Sequence, residues 1–417
     1  MDESHVVCLL RNRGEVLLLR RSDQAGSYAG RWSAVAGHAE GDPDGAAREE
    51  IAAETGLDDA VTFVRAGDPF EVTDDDLDTR WIVHSYLFEC DSRAVEPNDE
   101  TTEVEWVAPI EIRRRGTVPD LWTSYERVAP TVDTIRTDAD HGSAWLSVRG
   151  LEVLRDRAGV LAPPAAGEGE DGDWNDLAAL ARDLRAARPS MTVVENRINR
   201  AMAAASDDRT PAAVEQNTKR GIERAFEVDD GAAREGAARL DGTVMTLSRS
   251  GTVTAALRHA AVEELLVCES RPAREGVGVA EELADDCRVT IAIDAAAAHL
   301  LTERAVDAVV VGADTVFPDG SVLNKVGTRA VAAAAAHETV PVYAVAASDK
   351  IDPEPEPDVA DGDRDQVYDG DCDLAVANPT FDRTPAEHVT VVTENGRLEP
   401  DEAAETAVEL RELAAWS

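Results

Sequence analysis

The chain has 417 residues, which is long for one domain and predicts roughly two to three folded units. It carries 83 acidic residues against 41 basic ones, a formal net charge of −42. This charge argues against a surface that binds the phosphate backbone of a nucleic acid. The five cysteines lack Cys-x-x-Cys spacing, so neither a disulfide framework nor a zinc site is expected.

The composition also bears on the cellular setting. The chain contains only three lysines, Lys219, Lys325 and Lys350, and aromatic residues make up 4% of it. This balance resembles that of proteins from halophiles, where the Debye length falls to about 3 Å and screens the charge. The chain has no basic N-terminal segment and no apolar run of about 18 residues, so we expect a cytoplasmic protein without a membrane span.

Residues 1–115 contain short apolar runs around one helical segment. The runs HVVCLL, EVLLLRR and WSAVAG predict strands, residues 44–55 predict a helix, and further strands are expected near 61–65, 80–89 and 103–108. This pattern predicts a compact α+β domain.

Residues 116–235 contain amphipathic stretches. AWLSVRGLEVLRDRAG and TPAAVEQNTKRGIERAFEV place apolar residues three and four positions apart, which predicts helices. Between them, LAPPAAGEGEDGDW (161–174) is too rich in proline, glycine and acidic residues to bury a core, so it predicts a flexible loop. We assign residues 116–235 to a linker and a helical subdomain.

Residues 236–417 change to apolar runs separated by helix-length segments. The runs are TVMTLS, ELLVCES, VTIAID, AVDAVVVGAD, VPVYAVAAS and HVTVVTE. Because they are apolar on both faces, they predict a parallel sheet covered on both sides, with a ligand at the carboxyl ends of its strands. The acidic stretch 352–371 is expected to be a solvated surface excursion.

The stretch AGHAEGDPDGAAREEIAAETGL (36–57), with GRWSAVAG before it and EVEWV after it, resembles the Nudix box. The resemblance implies an α/β/α sandwich in which glutamates on one helix face hold Mg²⁺ or Mn²⁺ against a substrate diphosphate. Glu50 and Glu54 occupy two of the three glutamate positions, one turn apart, whereas Ala53 occupies the third.

Other carboxylates lie close to this incomplete set. Glu49 stands where the family has an arginine, and Asp42 is the nearest match for the glutamate of the preceding loop. The candidate metal ligands are therefore Glu50 and Glu54, with Glu49, Asp42 or Glu40 as substitutes for the missing one. We expect a degenerate, non-hydrolytic module; a Mg²⁺-dependent diphosphohydrolase and a merely solvated acidic helix face are the alternatives.

Several further stretches, in order along the chain, resemble a second family. They are RPSMTVVENRI (188–198), TVMTLSRSGTV (243–253), ESRPAREG (269–276), VVGADTVFPDGSVLNKVGT (310–328), YAVAASDKIDP (343–353) and NPTFDRTPAEHVTVVTENG (378–396). The family unites the α, β and δ subunits of translation initiation factor 2B with methylthioribose-1-phosphate and ribose-1,5-bisphosphate isomerases. The resemblance implies a helical subdomain, a Rossmann-like parallel-sheet domain, a phosphorylated small-molecule ligand, and a homodimer or higher oligomer.

The residues at these strand ends suit a phosphate. Ser250 follows a strand and precedes a helix, so its hydroxyl and nearby N–H groups can face an anion. Asn324 and Lys325 lie in a turn-rich segment, and Lys350 follows another strand. Because two of only three lysines fall in these motifs, we predict a cationic site for a phosphate, with two ordinary surface lysines as the alternative.

Further residues bear on chemistry. The resemblance implies that Asp314 is an acid or base; a capping role is the alternative. Arg188 and Arg271 are candidate partners of a phosphate or carboxylate, or members of internal ion pairs. Where the isomerases carry a cysteine, this chain has Ser248, whose hydroxyl does not replace a thiol of pKa about 8.5 in proton transfer. His141-Gly142-Ser143-Ala144 replaces an Arg-Gly-Ala-type stretch.

These observations leave three interpretations. We favour an initiation-factor-2B-like regulatory protein that binds a sugar phosphate or nucleotide and carries a degenerate Nudix module. The second is an enzyme, either an isomerase using Asp314 with Ser248 or a Nudix hydrolase. The third is an interaction protein that contacts translation initiation factors; direct binding to nucleic acid is not expected. We expect surface or packing roles for the following histidines: His5, His38, His84, His259, His299, His337 and His388.

Overall fold

The computed structural model describes residues 2–39, 41–74, 79–162, 171–354 and 361–416. Part of the predicted loop (163–170), part of the predicted surface excursion (355–360) and the alternative ligand Glu40 lie outside the described residues. The described residues form two compact units. The first unit falls within Met1–Thr131 and Arg155–Gly169, and the second within Val132–Leu154 and Glu170–Ser417.

The first unit is built on a mixed sheet, eight-stranded in its described part. Its strands are β1 (Asp2–Asn12), β2 (Glu15–Arg21), β3 (Trp32–Ser33), β4 (Val35–His38), β5 (Val61–Ala66), β6 (Phe70–Asp74), β7 (Thr79–Cys90) and β8 (Thr101–Val107). Its helices are α1 (Pro43–Thr55), α2 (Glu111–Arg114) and α3 (Leu121–Val128). Strand β1 pairs in parallel with β7 and antiparallel with β2 and β4.

The central strand is apolar on both faces, so the sheet carries a core on each side. Cys8 and Leu10 pack with Ile51 of α1, whereas Leu9 packs on the opposite face with Leu121 of α3. Side chains alternate between the two faces of a strand, so an uninterrupted apolar run serves both layers. The result is an α/β/α sandwich, as the resemblance implies.

The first unit extends beyond the predicted boundary at residue 115. Helix α3 buries Leu121, Tyr125 and Val128 in the core of this unit, and the Tyr125 hydroxyl donates to Asp156. The apolar face of this short helix therefore places residues up to 131 with the first unit rather than with the helical subdomain.

The second unit begins with helices. They are α4 (Val132–Thr137), α5 (Ser143–Leu161), α6 (Asp171–Ala187), α7 (Thr192–Ala204) and α8 (Pro211–Ala237). Residues of α5 from Arg155 onward belong to the first unit. Helix α8 starts where the Thr210 hydroxyl accepts from the Ala213 N–H at 3.2 Å, with Pro211 in the first helical turn. Among the described helices, none is long and apolar enough to cross a bilayer.

The remaining elements form a parallel sheet and a smaller antiparallel one. The strands are β9 (Asp241–Leu247), β10 (Ala261–Cys268), β11 (Arg288–Ala292), β12 (Ala308–Val311), β13 (Thr315–Val316), β14 (Val322–Lys325), β15 (Val342–Val345), β16 (Phe381–Thr384), β17 (Thr390–Thr393) and β18 (Gly396–Arg397). The helices are α9 (Gly251–His259), α10 (Glu275–Glu282), α11 (Ala297–Glu303), α12 (Thr328–His337) and α13 (Pro400–Leu413).

The larger sheet has the order β11-β10-β9-β12-β15-β17-β18. Its pairs are parallel except for β17 with β18, and both faces bury apolar side chains. The Rossmann-like parallel sheet is therefore confirmed.

The smaller sheet, β13-β14-β16, corrects one local prediction. Asn324 and Lys325 lie in strand β14 rather than in a turn, and they pair with Asp382 and Phe381 of β16. The strand is short and follows a Pro-Asp-Gly turn, so its sequence pattern is dominated by turn residues.

Candidate functional site

Three neighbouring parallel strands end at one edge of the larger sheet. After β9 comes Ser250, after β12 comes Asp314, and after β15 comes Lys350. A Cβ atom on Gly312 would lie 2.8 Å from the Ser250 Oγ and 3.9 Å from the Asn324 Oδ1, so only glycine allows this approach. We call Ser250, Asp314, Asn324, Lys325 and Lys350 the carboxyl-edge site, because strand ends of this kind are where parallel sheets bind ligands.

Asp314 lies at the centre of this set and keeps part of its surface accessible. Burial raises the pKa of Asp314, while the charges of Lys350 and Lys325 and a hydrogen bond from the Ser143 hydroxyl act in the opposite direction. Burial likewise lowers the pKa of Lys350, against the nearby Asp314. Burial and the two lysines therefore act in opposite directions on the pKa of this carboxyl group.

Both lysines already have protein partners. Lys350 is 4% exposed, and its Nζ donates to the Ala313 carbonyl at 2.6 Å. The Lys325 Nζ lies 2.6 Å from the Glu275 Oε1. The Asn324 Nδ2 donates to the Thr328 Oγ1 at 3.0 Å. The structure brings the predicted cations to Asp314 and adds Glu275, a counter-ion that the sequence analysis did not identify.

The two serines have different local roles. Ser248 has φ 64, in the left-handed region that is rare for residues other than glycine, and its N–H donates to the Ser270 Oγ at 2.5 Å. Ser250 caps α9, because its Oγ accepts from the Val253 N–H at 3.4 Å. The hydroxyl of Ser250 therefore already accepts a hydrogen bond from the helix. A catalytic role for Ser248 stays a prediction.

The two predicted arginines bind main-chain carbonyls. Arg188 donates from Nε to Ile135 O at 2.8 Å and from Nη2 to Asp138 O, and burial lowers the pKa of Arg188. Arg271 is exposed, and its Nη2 donates to Gln366 O at 3.3 Å. These contacts differ from the ion pairs considered as the alternative, and a role in binding phosphate remains a prediction.

Sequence reasoning missed a clamp on the turn that carries Lys350. The Asn196 Nδ2 on α7 donates to Asp349 O at 2.8 Å and to Ile351 O at 2.9 Å. Arg197 contacts the Asp349 Oδ2 at 3.2 Å and the Asp229 Oδ1 at 2.8 Å. The available signal was polar residues on a buried helix face, which must find partners.

In the first unit, Glu50 and Glu54 line a cavity of about 530 Å³. Glu54 is 7% exposed and accepts from the Ala36 N–H at 3.4 Å. Burial and, next, the charge of Glu50 raise the pKa of Glu54 to about 8. Burial and the Glu100 charge also raise the pKa of Glu50. A Cβ on Gly37 would lie 1.8 Å from the Glu50 Oε1, so the glycine makes room for this carboxyl group.

The other proposed metal ligands point to a different role. The Asp42 Oδ1 accepts from the Gly45 N–H at 3.1 Å and caps α1, while Glu49 and Ala53 are exposed. In the described part of the chain, no group of three or more His, Cys, Asp or Glu side chains is arranged to hold a metal ion. The described residues alone do not form the three-carboxylate arrangement that the Nudix box implies, and binding of Mg²⁺ or Mn²⁺ stays a prediction.

The same cavity contains aromatic rings that the sequence did not single out. The ring centroids of His5 and His38 lie 4.8 Å apart, and that of Trp81 lies 5.0 Å from His5 and 5.8 Å from His38. We call these three side chains the ring wall. They come from β1, β4 and β7, so pairing of distant strands rather than a local motif unites them.

Comparison with known proteins agrees with this architecture. The model of the Initiation factor 2 subunit family matches residues 139–400, and that of the NUDIX domain matches residues 2–132. A ribose 1,5-bisphosphate isomerase of Haloterrigena turkmenica is 34% identical over an alignment of 310 positions, which covers 66% of this chain and 92% of the relative. Methylthioribose-1-phosphate isomerase 2 of Trypanosoma cruzi is 28% identical over 69% of this chain and 87% of its own.

Solved structures share the fold of the second unit. The translation initiation factor eIF-2B of Pyrococcus horikoshii OT3 has a TM-score of 0.55 at 23% identity, covering 64% of this chain and 94% of its own. The 5-methylthioribose 1-phosphate isomerase of the same organism has a TM-score of 0.55 at 20% identity, covering 74% and 89%. The chain belongs to the Initiation factor 2 subunit family and carries a NUDIX domain on the N-terminal side of the family's domain.

Proposed function

We propose that this protein is an initiation-factor-2B-like regulatory protein whose second unit binds a sugar phosphate or a nucleotide at the carboxyl-edge site. One observation carries the proposal: two of the three lysines in the chain lie close enough to the partly accessible Asp314 for their charges to lower its pKa. In a protein with 83 acidic residues, this concentration of ammonium groups favours an anionic ligand.

The contacts support specific roles for these residues in binding. A phosphate group would compete with Glu275 for Lys325, because each offers oxygens to the same ammonium group. Asp314, close to both lysines, would form a hydrogen bond with a hydroxyl group of the ligand. Lys350, fixed by Ala313 O, would supply a second positive charge with little loss of conformational entropy.

A thermal-shift titration with ribose 5-phosphate and with AMP tests this proposal. We expect at least one of them to raise the Tm, and Lys325→Ala and Lys350→Ala to remove most of that increase. Lys219→Ala is the matched control, since Lys219 pairs with Glu215 on α8 outside the site. An increase that both site variants retain, or no increase with either compound, would reject the proposed binding site.

An aldose–ketose isomerase is the second candidate. It is favoured by the half-buried Asp314, which could carry a proton between adjacent carbon atoms of a sugar, and by the isomerase relatives. Ser248 disfavours it, because a serine hydroxyl loses its proton far less readily than a thiol of pKa about 8.5. An assay with ribose 1,5-bisphosphate decides between the two: we expect no turnover by the native protein, and turnover at a level that Asp314→Asn abolishes would establish the isomerase.

For the first unit, a Mg²⁺- or Mn²⁺-dependent diphosphohydrolase is the alternative to a non-hydrolytic module. Only the position of Glu50 and Glu54 in one cavity favours it, and we derive no hydrolytic step from two carboxylates. The test is conversion of ADP-ribose to AMP and ribose 5-phosphate with either metal. Turnover that Glu54→Gln abolishes would favour the hydrolase, and no turnover would favour the non-hydrolytic module.

We extend the proposal to a homodimer or higher oligomer that contacts translation initiation factors. The fold is shared with the tetrameric eIF2B-beta2-delta2 complex from Chaetomium thermophilum at a TM-score of 0.51, and this likeness motivates the extension. Light scattering on the purified protein measures the oligomeric state directly, and a monomer at all concentrations would reject the oligomer.

A further inference from the structure

The cavity of the first unit has an aromatic side. Its volume of about 530 Å³ is within the general range of about 300–1,000 Å³ for small-molecule sites. The ring wall of His5, His38 and Trp81 forms part of its lining. Half-buried Trp81 presents the side chain whose ring face attracts cations most strongly. The cavity therefore offers a surface for a planar ring.

The charged groups in this cavity are mostly acidic. Among the described lining residues, the carboxyl groups belong to Glu50, Glu54, Glu100 and Asp120. The guanidinium group of Arg21 also lines the cavity, but it donates to Ser27 O at 2.8 Å and to Ala25 O at 2.5 Å. Because Arg21 already donates to these carbonyls, it offers an anionic ligand little attraction. The carboxyl groups of the lining would repel such a ligand.

Polar groups on the rings add to this preference. The Nδ1 atom of His5 is buried and has no hydrogen-bond partner, so a ligand N–H or O–H could satisfy it. Burial, followed by His38 and Arg21, lowers the pKa of His5 to about 4. The His5 ring is therefore uncharged at neutral pH and does not repel a cation.

We propose that this cavity binds a planar organic cation, of the class of N-alkylated or protonated nitrogen heterocycles, against Trp81 and beside Glu50 and Glu54. The ring stacks on the aromatic side, where desolvation strengthens the attraction between a cation and a π face. The carboxyl groups of the lining outnumber its single guanidinium group, so the cavity favours a cation over an anion. This binding does not depend on the ligand proposed for the second unit.

Calorimetric titration of the full-length protein in EDTA-containing buffer tests the charge preference. The probes are 1-methylnicotinamide, nicotinamide and nicotinate, which share a planar ring and carry a positive, zero and negative charge. We expect 1-methylnicotinamide to bind about tenfold more tightly than nicotinamide, and nicotinate to bind least. Equal affinities, the reverse order or no binding of 1-methylnicotinamide would overturn the proposal.

Two tryptophan variants locate the binding. Trp81→Leu should weaken 1-methylnicotinamide binding about tenfold, and Trp81→Phe, which keeps a smaller ring, should weaken it less. Trp122→Leu is the control, because Trp122 is also half-buried but packs against Tyr125 outside the cavity lining. Glu50→Gln should reduce the preference for the cation over nicotinamide. Equal losses in Trp81→Leu and Trp122→Leu, or full affinity in both Trp81 variants, would contradict a site on the ring wall.

Discussion

The two units place opposite charges in their candidate sites. The carboxyl-edge site gathers Lys325 and Lys350 around Asp314, although the chain contains only three lysines. The cavity of the first unit gathers Glu50 and Glu54 beside three rings. Acidic groups are abundant throughout this chain, so the presence of carboxyl groups in the cavity does not by itself indicate a binding site. The lysines are informative because they are rare, and the carboxyl groups become informative through burial and the adjoining ring wall.

The largest effect should come from the charged cluster that holds the turn with Lys350. Arg197 is 3% exposed and contacts Asp349 and Asp229. Arg197→Met should lower the free energy of unfolding by about 3–5 kcal/mol, since it removes the most buried of the three arginines around the buried Asp349 and a partner of the half-buried Asp229. Chemical denaturation followed by circular dichroism measures this change. Arg239→Met, which removes the more exposed pair with Glu235, should cost less than about 1 kcal/mol; similar costs for both would show that the cluster has no special importance.

The next effect concerns the helix that supplies the counter-ion of Lys325. A Cβ on Gly276 would lie 2.0 Å from the Cys268 carbonyl oxygen, and a backbone atom cannot move aside as a side-chain end can. Gly276→Ala should therefore cost about 3 kcal/mol of unfolding free energy. Gly278→Ala lies on the same helix with nothing within 4 Å of its Cβ. If denaturation gave the same midpoint for both variants, the close contact of α10 with β10 would be wrong.

The stability of the first unit should depend on pH through the buried Glu54. Burial raises the pKa of Glu54 from 4.5 to about 8, so the folded state binds more protons than the unfolded chain between these values. The free energy of unfolding should therefore fall as pH rises through this window, by at most about 1.4 kcal/mol per pH unit. Denaturation at several pH values measures the slope.

Two variants isolate this contribution. Glu54→Gln should flatten the pH dependence, because it removes the buried titrating group. Glu49→Gln, on the exposed side of the same helix, should leave it unchanged. A slope that persists in Glu54→Gln would assign the pH dependence to other groups.

The smallest effect on stability should come from Gly37→Ala. Its Cβ would meet the end of the Glu50 side chain, which can rotate away, so the free energy of unfolding should fall by less than about 1 kcal/mol. Displacing this carboxyl group should nevertheless weaken 1-methylnicotinamide binding several-fold. Gly116→Ala, with nothing within 4 Å of its Cβ, should change neither quantity. Unchanged affinity in Gly37→Ala would remove Glu50 from the proposed binding mode.

The extent to which sequence predicts this molecule differs between its levels of organisation. The parallel strands were predictable because runs such as Val309–Val311 are buried on both faces and so show uninterrupted apolar character. Strand β14 was not, because a strand of four residues after a turn carries too little periodicity. The turn-rich segment around Asn324 and Lys325 therefore gave no sign of this strand.

Side-chain partners were the least predictable feature. For Arg188 the sequence predicted an anionic ligand or an internal ion pair, and it gave no sign of the main-chain carbonyls of Ile135 and Asp138 that accept from its guanidinium group. The ring wall combines residues as far apart as His5 and Trp81, and only the pairing of β1 with β7 brings them together. These side-chain partners depend on tertiary pairing, and a local sequence pattern therefore does not predict them.

The most direct test of the central claim is mass spectrometry of the small molecules that co-purify with the native protein and its lysine variants. A phosphorylated sugar or nucleotide should accompany the native protein and Lys219→Ala, and it should be lost from Lys325→Ala and Lys350→Ala. Retention of the same molecule by all four proteins, or its absence from the native protein, would contradict an anion site built on these two lysines.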